Sequence, residues 1–500
     1  MPPAPRIRET RIRGAPRTNS RPTTLKRPLS PIMKPNLSYL LALLSLTCLT
    51  CASSSRGSTT PATPEPATHR QTRSGTATDT AIRRAERFTQ VKPESADAWV
   101  DLGNAWMQKS RDLANEVGYE PAEKAFRTAL NRDAACLPAM LGLAWVCNTR
   151  HEFAEGCRWA RQVIEHDPKQ PDAYALLADA AVELGDYETA FEHLQVCLDL
   201  RPDLSSLSRS AHLLFLTGDL QRAQVLMRQA IKAGGPFPEN TAWCQAQLAM
   251  MQFHSGALLV AERTIENARR LAPENPHVLA ASGKIALARK QYSDAIQYLE
   301  GAAHSSHSHA ALVDLESAYS LSGNADGVRE TRKRIEAFHQ EDHAHETQAH
   351  SHQDNSEHSH SHSHSHGEGN ADWARYLADH DRDLDEALRQ AEGAYRTFKN
   401  IHVTDTLAWC YYKKGRYEEA QKTIRKALKW KTPDATLLFH AGMIHAKIGD
   451  LPTARRFLYQ AMSLNPNFHP TFATQAAETL ASLAGKNSTD PLKTTASLRN

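Results

Sequence analysis

Five hundred residues exceed what one hydrophobic core usually holds, so several domains or a repeat array are expected. With 41% apolar and only 7% aromatic residues, the composition favours helices packed through small and aliphatic side chains. The formal charge of +3 is uneven: residues 1–32 carry eight Arg or Lys against Glu9 alone, leaving about −4 for the rest and no basic surface to suit nucleic acid.

The basic leader, 1–32, is rich in proline and has no aromatic platform, so disorder is expected of it. Leu37 to Thr50 then runs fourteen residues without a charge, preceded by Lys34 and followed by Cys51, Ala52 and Ser53. As a helix it would reach about 21 Å, short of a ~30 Å hydrocarbon core, and its flanks have the layout of a secretory signal peptide. Residues 33–52 are read as that signal, with Met33 a natural start, and export to a periplasmic or extracellular space follows. An uncleaved anchor and a lipoprotein cysteine at Cys48 or Cys51 stand as the alternatives that would keep the chain near a membrane. Residues 53–78 are a Ser/Thr/Pro linker, too polar to fold.

Beyond the linker a Gly ends a helical run at Gly185, Gly218, Gly256, Gly415 and Gly449, and an Ala follows four or five residues later. The spacing is 33 residues from Gly185 to Gly218, 38 to Gly256, and 34 from Gly415 to Gly449. A period near 34 predicts one helical hairpin per unit, with Gly supplying the left-handed cap between its helices. Small residues at fixed offsets let paired helices approach, and a Pro after the second helix starts the next unit.

The chain resembles tetratricopeptide repeat proteins. Trp99, Leu102, Gly103 and Trp106, then Ala122, Phe126 and Ala129, follow that family's pattern. So do Tyr174, Leu177, Ala178, Gly185, Tyr187, Ala190 and Pro202, and near the end Leu407, Ala408, Tyr411, Gly415, Tyr417 and Ala420. The resemblance covers roughly 380 residues in about ten units. It implies an all-α right-handed solenoid of helical hairpins, in an N-terminal array over 79–338 and a C-terminal one over 371–484. Residues 79–93 fit a lone second helix, 471–484 a capping helix, and 485–500 a disordered tail.

The resemblance further implies that first helices line a concave groove for a protein or peptide ligand. Carried onto this chain, the groove positions are Trp145, Asp179, Trp243, Met250, Phe253, Lys284, Trp409, Tyr412, Phe439 and Met443. Aromatics and Met suit peptide anchoring, although the same spacing also suits ordinary core. The family's carboxylate clamp has no counterpart, since Val100 stands where a Lys is needed beside Asn104.

Between the arrays, 339–370 is read as a disordered linker with ten His: His339, His343, His345, His350, His352, His358, His360, His362, His364 and His366. Imidazoles alternating with small polar residues can fold around Zn, Ni, Co or Cu ions, and no obligatory cofactor is implied. A plain polar linker is the bland alternative. His345 and His350 are one residue too far apart for a zinc-protease helix, and the alternating Asp379, Asp381, Asp383 and Asp385 lack the Gly and Glu of a calcium loop. Six scattered body cysteines fit small buried hydrophobes. No catalytic constellation is found, so the chain reads as a non-enzymatic exported scaffold with a metal-binding segment. The alternative is a metal buffer or carrier that its repeats dock to a partner such as a metal transporter.

Overall fold

Asp follows Gly at Gly185, Gly218 and Gly449, and the pair sets the geometry of each hairpin. The glycines take φ of +79°, +87° and +83°, reversing the chain. The next residues, Asp186, Asp219 and Asp450, then cap the following helix by accepting from Thr189, Arg222 and Thr453 backbone N–H groups. Pro171, Pro238 and Pro276 open first helices, where a missing N–H costs nothing.

The computed structural model describes residues 76–235, 237–305, 308–351 and 367–486, and not the side chains of 305, 341–351, 367–369, 485 and 486. Among these residues there are twenty-two α-helices and no strand. A lone α1 (Ala77–Val91) precedes ten antiparallel pairs. The first five are α2/α3 (Ala96–Leu113, Tyr119–Arg132), α4/α5 (Leu137–Thr149, Phe153–His166), α6/α7 (Pro171–Glu183, Tyr187–Leu200), α8/α9 (Leu204–Leu216, Leu220–Ala233) and α10/α11 (Pro238–His254, Leu258–Leu271). The next five are α12/α13 (Pro276–Ala288, Tyr292–Ser305), α14/α15 (His309–Leu321, Ala325–Ser351), α16/α17 (Gly367–Asp379, Leu384–Thr397), α18/α19 (Ile401–Lys413, Tyr417–Ala427) and α20/α21 (Ala435–Lys447, Leu451–Leu464). Helix α22 (Phe472–Lys486) closes the stack. The chain is a right-handed tetratricopeptide-type solenoid, each hairpin burying its apolar face against the next.

Small residues set the helix spacing between neighbouring pairs. A Cβ at Gly142 would lie 2.4 Å from the ring of Phe126, so only Gly lets that ring enter between α3 and α4. Second helices usually run fourteen residues, but α15 runs 27 and carries the start of the His-rich segment. The basic leader, the stretch expected to be a signal, residues 53–75 of the Ser/Thr/Pro linker and residues 352–366 of the His-rich linker lie outside the described residues, whereas Thr76 caps α1 and 77–78 open it. Among the described residues no helix is long and apolar enough to cross a membrane.

The solenoid also closes on itself. The turn of each of three successive pairs meets the loop that ends the fifth pair further on. A Cβ on Gly185 would lie 2.4 Å from the Lys399 carbonyl oxygen, one on Gly218 2.8 Å from that of Lys431, and one on Gly256 2.5 Å from that of Leu464. Hydrogen bonds follow the same seam: Ile401 N–H donates to Tyr187 Oη (3.0 Å), Thr432 Oγ1 to the Leu216 carbonyl (2.5 Å) and Asn465 Nδ2 to the Phe253 carbonyl (2.9 Å). Tyr187 meets Trp430 edge-on at 5.4 Å. One core cluster accordingly joins Tyr187, Leu214 and Met251 to Ile401, Ile424 and Ile444.

Candidate binding groove on the concave face

First helices face inward, and polar side chains bridge them in a ladder with a constant interval of 30 residues. Arg209 Nε donates to both Asp179 oxygens at 2.8 and 2.9 Å, and Lys284 Nζ to both Asp314 oxygens at the same distances. His402 Nε2 meets Asp372 Oδ1 at 2.8 Å, Trp409 Nε1 donates to Asp379 at 2.8 Å, and Arg375 pairs with Asp405. An interval of 30 in a 34-residue repeat brings a residue opposite a position one helical turn earlier on the next first helix.

Two cavities lie along this face, of about 490 and 480 Å³, and they share Val182, Glu183 and His212. The first is walled by Trp145 and Trp243, with the Arg111 guanidinium stacked 4.2 Å from the Trp145 ring. Burial, reinforced by the charge of Arg209, lowers the Arg111 pKa to about 10. Nine carboxylates and four Lys or Arg line the two cavities, a net −5 with imidazoles neutral. Six imidazoles join them: His212, His254, His277, His309, His402 and His469. Enclosure by the concave wall lowers the pKa of His212, His254, His277 and His309, and that of His469 falls to about 3.

At one end of the groove a polar group is sealed into the core. His440 is fully buried, stacks on Trp409 at 4.1 Å, and its Nδ1 lies 3.0 Å from Asp405 Oδ1. Burial opposes ionisation of Asp405, but His440 and Arg375 outweigh it and hold that carboxyl well below the usual range.

Four of the ten expected groove residues line the two cavities: Trp145, Asp179, Trp243 and Lys284. Trp409, Phe439, Met443 and Phe253 are core instead, with exposures of 1%, 0%, 8% and 2%. Met250 and Tyr412 are half-buried, Met250 against the core around Phe253 and Tyr412 stacked on Trp409 at 4.7 Å. The reason at the C-terminal end is the start of α22. Phe472 stacks on Phe439 at 4.8 Å and approaches Trp409 edge-on at 5.9 Å, covering the inner face of the last two pairs. Thr479 of α22 donates to Met443 Sδ at 3.7 Å. His212 and Phe215 line the groove at the ninth and twelfth positions of α8, and His277 and His402 at the second positions of α12 and α18. These four were not among the expected groove residues.

Of the ten tract histidines, only His339 has a described side chain, and it stacks on Trp373 at 4.3 Å. His343, His345 and His350 fall on α15 with their side chains outside the description. His352, His358, His360, His362, His364 and His366 lie outside the described residues. The four alternating aspartates diverge: Asp379 accepts from Trp409, Asp381 from Lys413, Asp383 caps α17, and Asp385 accepts from Lys414. The six body cysteines are free, and burial raises Cys147, Cys197, Cys244 and Cys410 to about 12, leaving unreactive thiols.

Models of the tetratricopeptide repeat match residues 159–192, 255–310 and 405–433. No curated protein matches the sequence. Similar solved structures include the APC/C hetero-tetramer Cut9–Hcn1, at 13% identity over 81% of each chain with a TM-score of 0.39. A human IFIT1 dimer with PPP-AAAA is 14% identical over 77% of this chain and 87% of that one, with a TM-score of 0.43. A thermophilic tetratricopeptide repeat protein of Thermus thermophilus is 18% identical over 39% of this chain and all of its own, with a TM-score of 0.34. The matched repeats, together with the helical pairs and the concave face, support a tetratricopeptide repeat protein whose architecture is that of a protein–protein interaction scaffold.

Proposed function

We propose that this chain is an exported, non-enzymatic scaffold that holds a protein or peptide partner in its concave groove, while its His-rich segment binds divalent transition metals. The observation that carries the scaffold reading is the run of two contiguous cavities, the first walled by Trp145 and Trp243, laddered by Asp179–Arg209 and Lys284–Asp314. Rigid aromatics at a concave surface bury area at small entropic cost, and a fixed polar ladder gives orientation. The metal reading is supported by composition alone: ten His in residues 339–366, in a pattern that leaves imidazole lone pairs on a pliable chain. Export is supported by the uncharged stretch 37–50 behind Lys34.

Affinity capture of the exported protein, with and without a chelator, tests the groove, and recovery of the chain from the extracytoplasmic fraction tests export. Partners recovered from the wild type should be lost from a Trp145→Ala/Trp243→Ala variant and kept when 339–366 is deleted. Retention by the double variant would end the groove reading. Isothermal titration at pH 7.5 should show Zn²⁺ or Ni²⁺ bound by the wild type and lost on the same deletion. Because ligation needs the neutral ring, that binding should weaken as pH falls below about 6.5.

A further inference from the structure

The charge in the groove is not balanced, and the imbalance says what it takes. Of the four cations lining the two cavities, Arg209, Lys284 and Arg375 are each spent on one rung of the ladder, and Arg111 lies against Trp145. Two of the remaining carboxylates take hydrogen bonds from neutral donors. Asp379 accepts from the Trp409 indole, and Asp434 accepts from the Thr436 and Leu437 backbone at the start of α20. Among the described residues no Lys or Arg forms an ion pair with Glu239, Asp372, Asp379 or Asp434, and Asp372 meets the His402 imidazole instead. Glu239 supplies a separate sign of something missing: its Oε2 is fully buried at the wall of the first cavity with no hydrogen-bond partner among the described residues. A buried carboxylate oxygen without a partner costs stability unless a ligand supplies the donor.

The net −5 of the groove exceeds the about −4 carried by the whole chain after residue 32, so the negative charge of this protein is collected on its inner wall. Concave, low-dielectric surroundings focus such a field toward a positive ligand. Between the charges stand apolar surfaces: Trp145 and Trp243 in the first cavity, Phe215, Val313 and Phe472 in the second. Cavities of about 490 and 480 Å³ are of ligand size and cannot admit a folded domain, whereas side chains of an extended segment fit them in succession.

The geometry points to an extended polypeptide segment in which Lys or Arg alternates with apolar side chains, docked along the groove with Glu239 and Asp372 receiving its cations. This rests on the groove reading of the proposed function and adds the chemistry of the partner. The test is fluorescence anisotropy of the full chain with three labelled probes of equal length: a Lys/Leu/Trp peptide, the same peptide with Glu for Lys, and single-stranded RNA. The basic peptide should bind best and weaken roughly tenfold between about 50 and 300 mM NaCl. Glu239→Gln/Asp372→Asn, with circular dichroism unchanged, should weaken it by a further ~tenfold, as losing a charge-assisted contact does. Preference for the acidic peptide or the RNA overturns the inference, as does binding that ignores both salt and the double variant. If no probe binds while capture of natural partners still depends on Trp145 and Trp243, the basic-segment inference falls and the groove stands. If that capture is also indifferent to them, the groove reading falls too.

Discussion

Gly185 and Gly415 do the same local job, but only one of them holds the molecule closed. Both sit between the helices of a hairpin at φ of +79° and +77°. Around Gly415 nothing lies within 4 Å of where a Cβ would stand, whereas at Gly185 the Lys399 carbonyl is 2.4 Å away. His151 and Lys290 fill the equivalent turn in other pairs with φ of +59° and +61°. A left-handed backbone alone therefore tolerates a side chain here, at about 1 kcal/mol. What forbids one at Gly185 and Gly256 is contact between successive turns of the superhelix.

The largest effect should come from separating these two roles. Gly185→Ala or Gly256→Ala should lose roughly 3 kcal/mol or more in urea unfolding, because strained backbone and displaced carbonyl add. Gly415→Ala should lose about 1 kcal/mol. Equal losses would mean that the turns do not touch in solution. Next is acid. Burial, with Lys284, His440 and Arg375 nearby, holds His469 near a pKa of about 3, whereas its unfolded value is near 6.5. The unfolded chain thus binds the extra proton below pH 6.5, so stability is full above that pH and falls as pH drops toward 3. By pH 5 this one ring should remove on the order of 2 kcal/mol, seen as a lower Tm than at pH 7.5, and His469→Gln should flatten the dependence.

Smaller still is Asn465→Ala, which removes the 2.9 Å bond to the Phe253 carbonyl across the seam. It should lose about 1 kcal/mol, since that carbonyl keeps the Gly256 N–H as a donor. Lys429→Ala breaks an exposed 3.0 Å ion pair with Glu188 on the same seam and should move stability by less than about 0.5 kcal/mol. A loss as large as that of Gly185→Ala would place the seam's cohesion in surface charge rather than in backbone contact.

The hairpins were legible because each is specified locally: Gly185 with Asp186, Gly449 with Asp450, and Ala190, Ala420 and Ala454 at the crossing points. Expectation and structure agree on an all-α solenoid. The seam was not legible, since Gly185 meets Lys399 across more than two hundred residues and no periodic signal pairs them. The groove pattern reaches Trp145, Asp179, Trp243 and Lys284, which line the two cavities where first helices remain open. It was misread at Trp409, Phe439 and Met443 because Phe472, beyond the last repeat, folds back over positions that face inward by the repeat rule. The polar core at Asp405, His440 and Arg375 was passed over for a similar reason. Each residue looks like an ordinary solvated helix position until its neighbours in space are known.

Stacked hairpins with free coils behave like a spring, widening or narrowing as they are pulled. Here Gly185, Gly218 and Gly256 bolt one coil to the next, which removes that compliance and fixes the bore. A guest of the proposed groove would then have no way in between joined coils. It must thread from an open end, or the coils must first part, and in that case the rate of loading is set by breaking the seam rather than by affinity for the wall.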